Sequence, residues 1–337
     1  MKTKQLVGII VTGLVIITVG ATGVLGNVIN AKYAKEEETS GGFWDTLFHM
    51  EASDDIVLPE EDFVGQIHVV GEIGPSTDTL WATEQSYNHD LYMNYIDALI
   101  YAEQNKGIML YIDSPGGTVY ESDELYLKLM EYKEKTGRPI YAYFASEACS
   151  GGYYIAMAAD YIVANRNCWT GSIGVVVSLL NCKELYDKLG IEEIDITSGA
   201  NKAMGAAGLD LTQDQYDILQ SLVDEAYDQF VDIVCTGRNM NQETVRTLAD
   251  GRIYSAKQAL EHKLIDAIGS FEDAQSAFAK KADVAETITY DVPKSTTSLF
   301  FSSLYGMAQQ LKPQSDTELA TDIMENRGNG VLKYYAK

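Results

Sequence analysis

Short apolar runs of strand length recur along the chain and are typical of buried strands in a parallel sheet. The strands predicted from these runs are 65–71, 107–112, 139–144 and 161–164. Apolar residues at helical spacing predict helices between these strands, and helices predominate after residue 208. The predicted helices are 89–104, 120–135, 153–159, 212–236, 241–249, 255–262 and 272–282. This alternation predicts an α/β fold with a parallel sheet covered by helices.

The N-terminal region has a different pattern. Residues 6–26 form an uncharged apolar run that follows Lys2 and Lys4. A helix of about 20 such residues crosses a bilayer, and the lysines favour a cytoplasmic N-terminus. A cleaved secretory signal is the alternative, but the run is long for one and no clean A-x-A site follows it. We therefore predict a cytoplasmic stub at 1–5, a transmembrane anchor at 6–26, an acidic linker at 27–62, an extracytoplasmic folded domain at 63–290 and a tail at 291–337.

Charge and ligand-type residues narrow the range of partners. The net charge is −24, which repels phosphate backbones and argues against nucleic acid. A solvated surface explains most of this acidity, and attraction of basic substrate segments is the alternative reading. The four cysteines and four histidines show no metal-ligand spacing, so we predict no metal and no cofactor. The thiols of Cys149, Cys168, Cys182 and Cys235 are expected to be free and partly buried.

Two strand-to-helix junctions contain clusters of small residues. The first is Ser-Pro-Gly-Gly at 114–117, where consecutive glycines let backbone N–H groups face a ligand and hold an oxyanion. A tight turn explains this junction equally well. The second begins at Ser150, in the first turn of a helix, where amide dipoles stabilise negative charge. Such a serine is either a nucleophile or a plain N-cap, and the local sequence favours the cap because Ala148 replaces the first glycine of a GxSxG elbow.

A nucleophilic serine needs a base. No histidine and acid form a recognisable triad arrangement, although a triad is set by space and not by order. A lysine can serve when an apolar site lowers its pKa. Lys202 lies in the nearly uncharged segment 201–208 and is the candidate base, with an exposed loop lysine as the ordinary alternative.

Five segments together resemble the signal peptide peptidase A family of membrane-bound serine peptidases, also called family S49. The segments are SPGG at 114–117, ACSGGYY at 148–154, TGSIGV at 170–175, SGANK at 198–202 and DGRIY at 250–254. Their order and spacing are similar to those of single-repeat members with an N-terminal anchor, and the resemblance covers about residues 63–280. It implies a ClpP/crotonase-like fold and a serine peptidase with a Ser-Lys dyad.

The resemblance also implies a role for each matching residue. Ser150 is expected to attack the scissile carbonyl, Lys202 to take its proton and Ser172 to orient the lysine. An acyl-enzyme forms and is then hydrolysed. The residues expected to bind the oxyanion or substrate are Gly116, Gly117 and Gly151.

The chain departs from the family pattern at three positions. Asn201 stands where an aromatic residue or histidine is common, and Cys149 where alanine is common. Asp113 stands where asparagine is frequent, which predicts a negative charge near the glycine loop. None of these departures removes a reacting group.

By the same resemblance, the expected substrates are hydrophobic, signal-peptide-like segments left in the lipid bilayer. The expected assembly is a homo-oligomeric ring in which neighbouring subunits can complete the dyad. The C-terminal residues 332–337 are similar to the family's C-terminal end and are expected to dock near the substrate groove. A non-catalytic peptide-binding scaffold and a crotonase-type acyl-CoA enzyme are the alternatives, and the predicted extracytoplasmic location argues against the second.

Overall fold

The computed structural model describes residues 56–76, 87–282, 288–292 and 333–335, the last of these as backbone only. The folded body begins at Ile56. Among the described residues, no helix is both long enough and apolar enough to span a membrane. The predicted anchor at 6–26 lies outside the described residues.

An eight-stranded sheet forms the centre of the described body. The strands of the described body are β1 (Phe63–Val70), β2 (Asn105–Ser114), β3 (Gly116–Thr118), β4 (Ile140–Cys149), β5 (Tyr161–Ala164), β6 (Trp169–Gly171), β7 (Ile253–Ser255), β8 (Ala267–Ile268), β9 (Ile288–Asp291) and β10 (Lys333–Tyr335). The strands β9, β1, β2 and β4 are parallel neighbours in that order. The first half of β4 pairs with β5 and its end pairs with β6, both in parallel, while β7 is antiparallel to β6. The predicted α/β fold with a mainly parallel sheet is therefore confirmed.

Helices cover both faces of the sheet. They are α1 (His89–Tyr101), α2 (Val119–Thr136), α3 (Gly151–Ala156), α4 (Lys183–Leu189), α5 (Gln213–Arg238), α6 (Gln242–Leu248), α7 (Ala256–Glu261) and α8 (Phe271–Ala282). Successive residues of a strand point to opposite faces. Accordingly, Leu110 of β2 joins the larger core with α1, α2 and α3, whereas Met109 joins a smaller core with Phe278 of α8.

The predicted elements appear with modest differences in their ends. Helix α1 ends at Tyr101, three residues early, because Ala102 is extended and β2 begins at Asn105. Strand β4 extends to Cys149, five residues beyond the prediction, because its end pairs with β6. That extension carries the strand directly to Ser150.

Candidate active site

Ser150 occupies a strained turn between β4 and α3. Its backbone has φ 51° and ψ −115°, a conformation that side-chain-bearing residues rarely adopt. It stands at the N-cap position, but its side chain makes no capping hydrogen bond. The Oγ atom is fully buried and has no hydrogen-bond partner among the described residues. A strained serine with an unbonded, buried hydroxyl is typical of a nucleophile and not of a structural cap.

Neighbouring strands hold this turn in place. The N–H of Ser150 donates to the carbonyl of Gly171 at 2.8 Å, and Cys149 is paired with the same residue. At the next position, Gly151 leaves no space for a side chain. A Cβ there would lie 2.5 Å from Ser122 Oγ and 3.3 Å from the backbone nitrogen of Gly117. The start of α3 therefore lies directly against β3.

The short strand β3 contains one glycine whose backbone N–H and C=O are not bonded to Ile73. The carbonyl of Gly116 accepts from the N–H of Ile73 at 2.8 Å, and the N–H of Thr118 donates to the carbonyl of Ile73 at 2.9 Å. Polar groups of successive residues in a strand point in opposite directions. The N–H and C=O of Gly117 therefore face away from Ile73, along the edge of β3 that pairs with β10, and the Gly117 nitrogen lies close to Gly151.

Gly116 is engaged differently. Its N–H donates to Ser114 Oγ at 3.1 Å, and that hydroxyl in turn donates to the carbonyl of Gly71 at 2.6 Å. Of the two glycines of this turn, Gly117 is thus the one whose N–H points away from Ile73, on the edge of β3 close to Gly151.

The free side of β3 pairs with the C-terminal segment of the same chain. Strand β10 is antiparallel to β3, with Tyr334 opposite Gly117 and Lys333 opposite Thr118. The backbone of the tail thus lies beside the Ser150 turn, in agreement with the docking expected from the sequence. Pairing of an extended segment with an exposed strand edge is a common mode of peptide recognition.

Ser172 lies one residue beyond Gly171 and has a strained backbone with φ 49°. It is buried, and its N–H donates to the carbonyl of Arg252 at 2.8 Å. Ser172 lines a cavity of about 390 Å³ together with Val175, Val223 and Tyr227. The cavity is therefore lined by the residue that follows Gly171, whose carbonyl accepts from Ser150.

Lys202 is exposed, whereas its expected role as a base requires burial. It is exposed in a region of turns, where its N–H donates to the carbonyl of Gly199 at 3.1 Å. Ser150 Oγ has no hydrogen-bond partner, so the described chain does not bring the two side chains into hydrogen-bonding contact. The apolar burial predicted for Lys202 is absent within the described single chain.

The lysine belongs to an arm, defined here as residues 174–225. No residue of this arm is buried. Large apolar side chains of the arm are nevertheless among the most exposed. Leu189, the last residue of α4, is 64% exposed, and between α4 and α5 Ile194 is 73% and Ile196 99% exposed. Exposed apolar surface of this extent marks an interaction site.

The structure shows the surroundings of two of the three residues that depart from the family pattern, Asp113 and Cys149. Asp113 accepts hydrogen bonds from Ser146 Oγ and from the N–H of Glu147, so its carboxylate bonds to β4. Burial, followed by the charge of Asp113, raises the pKa of Glu147. Cys149 is buried, and burial raises the pKa of its thiol to about 12, which leaves it neutral. Nothing in the structure explains Asn201.

The sequence reasoning missed Ile73 and Ser122. Ile73 anchors β3, and Ser122 packs against Gly151 while donating to the carbonyl of Thr118 at 2.7 Å. No local pattern marks either residue, since each acts through a partner that is distant in sequence. The four cysteines are free, and the described residues contain no cluster of three or more metal-ligating side chains.

Comparison with known proteins gives consistent matches. The pattern of peptidase family S49 matches residues 132–285, and that of Clp protease matches residues 80–169. A putative signal peptide peptidase SppA of Enterococcus faecium is 36% identical over 241 residues, covering 72% of this chain and 70% of the relative. A putative protease of Synechocystis is 40% identical over 205 residues, covering 59% and 73%. A chloroplastic serine protease, SPPA, of Arabidopsis thaliana is 30% identical over 241 residues, covering 68% and 35%.

Proposed function

The chain belongs to peptidase family S49 and is a serine peptidase, and we propose that it is a membrane-anchored endopeptidase acting through a Ser150–Lys202 dyad. Its proposed substrates are hydrophobic, signal-peptide-like segments. The observation that carries the proposal is the buried, unbonded Oγ of Ser150 on a strained turn beside the N–H of Gly117.

The proposed reaction is an acyl transfer in two steps. Ser150 Oγ attacks the scissile carbonyl while the neutral amine of Lys202 takes the hydroxyl proton. The N–H groups of Gly117 and Gly151 stabilise the resulting oxyanion, and the first-turn amide at Gly151 has no intrahelical partner. The lysine then gives its proton to the leaving amine, which departs and leaves an acyl-enzyme. A water molecule, deprotonated by the same lysine, hydrolyses the ester and restores the serine.

We propose that the base comes from a second copy of the chain. Three observations support this: Ser150 Oγ is unpartnered, Lys202 is exposed, and the arm that carries it has apolar side chains but no buried residue. The cavity beside Ser172 has aliphatic walls at Val175 and Val223 that suit the stem of an entering lysine. Burial there would disfavour the charged amine and make it a base, against the opposing effect of the lining carboxylates of Asp224 and Asp250.

The remaining parts of the proposal concern the membrane. We propose that residues 6–26 anchor the chain with the peptidase domain outside the cytoplasm, and that the subunits form a ring. A ring held against the bilayer would give the sites access to peptides left in the lipid. Extended substrates would pair with β3 as β10 does.

The test uses the full chain in detergent and a fluorogenic hydrophobic peptide. Ser150→Ala and Lys202→Ala are each expected to lose at least about 1,000-fold in kcat. Lys188→Ala, which removes an exposed lysine of the same arm, is the matched control and should retain activity. Full activity in either dyad variant would rule out the dyad, and a wild-type chain that binds the peptide without cleaving it would indicate a scaffold.

A mixing experiment tests the origin of the base. The two inactive variants are dissociated, combined in equal amounts and reassembled. If each site takes its serine and lysine from different copies, roughly a quarter of the sites regain both residues by random assembly. No recovery of activity in a correctly reassembled mixture would place both residues in one chain.

A further inference from the structure

The edge of β3 that pairs with β10 ends beside a buried carboxylate. Glu121 lies in the first turn of α2 and is only 8% exposed. It accepts a hydrogen bond from Thr118 Oγ1, the last side chain of β3. Among the described residues, no lysine, arginine or histidine pairs with it. Glu121 is therefore a buried carboxylate with a hydroxyl donor but without a counter-ion.

The surroundings of Glu121 do not supply the missing positive charge. The nearby basic side chain, His89, is engaged by the hydroxyl of Tyr87 at 2.8 Å and by Glu124 at 3.0 Å. Burial raises the pKa of Tyr87, and the carboxylates of Glu121, Glu124 and Asp90 raise it further. The helix dipole of α2 stabilises the Glu121 charge only in part. This end of β3 is therefore electronegative, and the described part of the chain supplies no cation to Glu121.

The register of β10 shows which position of a bound peptide faces this carboxylate. Lys333 is opposite Thr118 in the antiparallel pair. Residues directly opposite each other in such a pair have their Cβ atoms about 5 Å apart on the same face of the sheet. A peptide residue bound opposite Thr118 therefore shares the face on which Thr118 Oγ1 meets Glu121. The residue that this chain itself carries at that register is a lysine.

We infer that Glu121 and Thr118 form a subsite for a basic side chain, at the substrate position paired with Thr118. This rests on the proposed function, because it takes a substrate to bind along β3 as β10 does. The preferred substrates are then hydrophobic segments with lysine or arginine at that one position. The net charge of −24 favours the approach of such peptides.

The test moves a single lysine through successive positions of an otherwise apolar peptide, with norleucine as the uncharged equivalent. In the wild-type full chain, one position should raise kcat/KM about tenfold over norleucine, the gain from one charge-assisted hydrogen bond. Because the tail competes equally with every peptide, the ratio is unaffected by it. Glu121→Gln should reduce the lysine-to-norleucine ratio of kcat/KM at that position to about one.

Controls separate the subsite from general charge effects. Glu134→Gln removes an exposed carboxylate from the same helix and should retain the preference. If Glu121→Gln does not fold, Glu121→Asp should weaken the preference instead. No lysine preference at any position in the wild-type chain, or a preference unchanged in Glu121→Gln, would overturn the inference.

A binding measurement distinguishes failure of the subsite from failure of the proposed function. The same peptides are titrated by fluorescence anisotropy onto Ser150→Ala. Absence of Ser150-dependent hydrolysis, with the lysine preference still present in binding, would reject the peptidase and keep the subsite. Ser150-dependent hydrolysis without a lysine preference would reject the subsite alone.

Discussion

Gly117→Ala tests the role of β3 most directly. A Cβ at this position would lie 1.8 Å from the carbonyl oxygen of Ile73 and 2.7 Å from its nitrogen. Contacts below 3.0 Å essentially do not occur, so β3 has to move away from Ile73 by about 1 Å or more. The obstruction is backbone and not a flexible side chain, so the strand cannot avoid the shift by a rotamer change.

The consequences for stability and catalysis differ in size. Two hydrogen bonds, at 2.8 and 2.9 Å, join Ile73 to β3, and each contributes about 1 kcal/mol. Their weakening should lower the free energy of unfolding by about 1–3 kcal/mol, which leaves the sheet folded. Loss of one oxyanion donor costs about 100- to 1,000-fold in kcat, and a displacement of about 1 Å has a comparable effect. We therefore expect kcat to fall by at least about 100-fold.

The assay combines steady-state hydrolysis of the fluorogenic peptide with thermal unfolding followed by circular dichroism. Gly74→Ala is the control, because a Cβ there meets nothing within 4 Å although the position adjoins Ile73. It should behave like the wild-type chain. A folded Gly117→Ala variant with kcat within threefold of wild type would show that β3 does not supply the oxyanion donor.

Two further predictions concern the tail and the thiol beside the nucleophile. Truncation after Leu332 removes the strand paired with β3. The KM for added peptides should then fall, because a tethered competitor has an effective concentration of about millimolar. An unchanged KM would contradict this pairing in solution. Because burial raises the pKa of the Cys149 thiol to about 12, only roughly one molecule in ten thousand carries the thiolate at pH 8. Iodoacetamide at pH 8 should therefore spare Cys149 in the native chain and modify it in denaturant, as mass spectrometry would show, with the half-buried Cys182 as the accessible comparison. Rapid native modification of Cys149 would contradict the burial.

Several elements were predictable because their signal is local. The run at 107–112 predicted β2, and the spacing in 120–135 predicted α2, within a few residues of the observed ends. Apolar periodicity of this length reports burial directly. In contrast, β3 and β6 have three residues each, too few to show any period. Their pairing with Ile73 and β4 is long-range, and no local pattern encodes it.

The candidate site shows the same division. The sequence named Ser150, Ser172 and both glycines, but the local pattern favoured a cap at Ser150. In the structure the Ser150 hydroxyl makes no capping hydrogen bond. The hydrogen bond from the N–H of Ser150 to the carbonyl of Gly171 in β6 holds the serine in this turn. Similarly, the sequence could not separate Gly116 from Gly117.

What the sequence determined by itself is the order of its strands and helices and the presence of a serine, a lysine and two glycine turns in a recognisable order. These follow from periodicity and residue chemistry, which are properties of neighbours along the chain. Only the tertiary structure decided the directions of the groups: which glycine N–H of β3 points away from Ile73, which residue of β10 lies opposite Thr118, and that Lys202 is exposed within one chain. Direction depends on hydrogen bonds between segments far apart in sequence, and those bonds exist only once the sheet has formed.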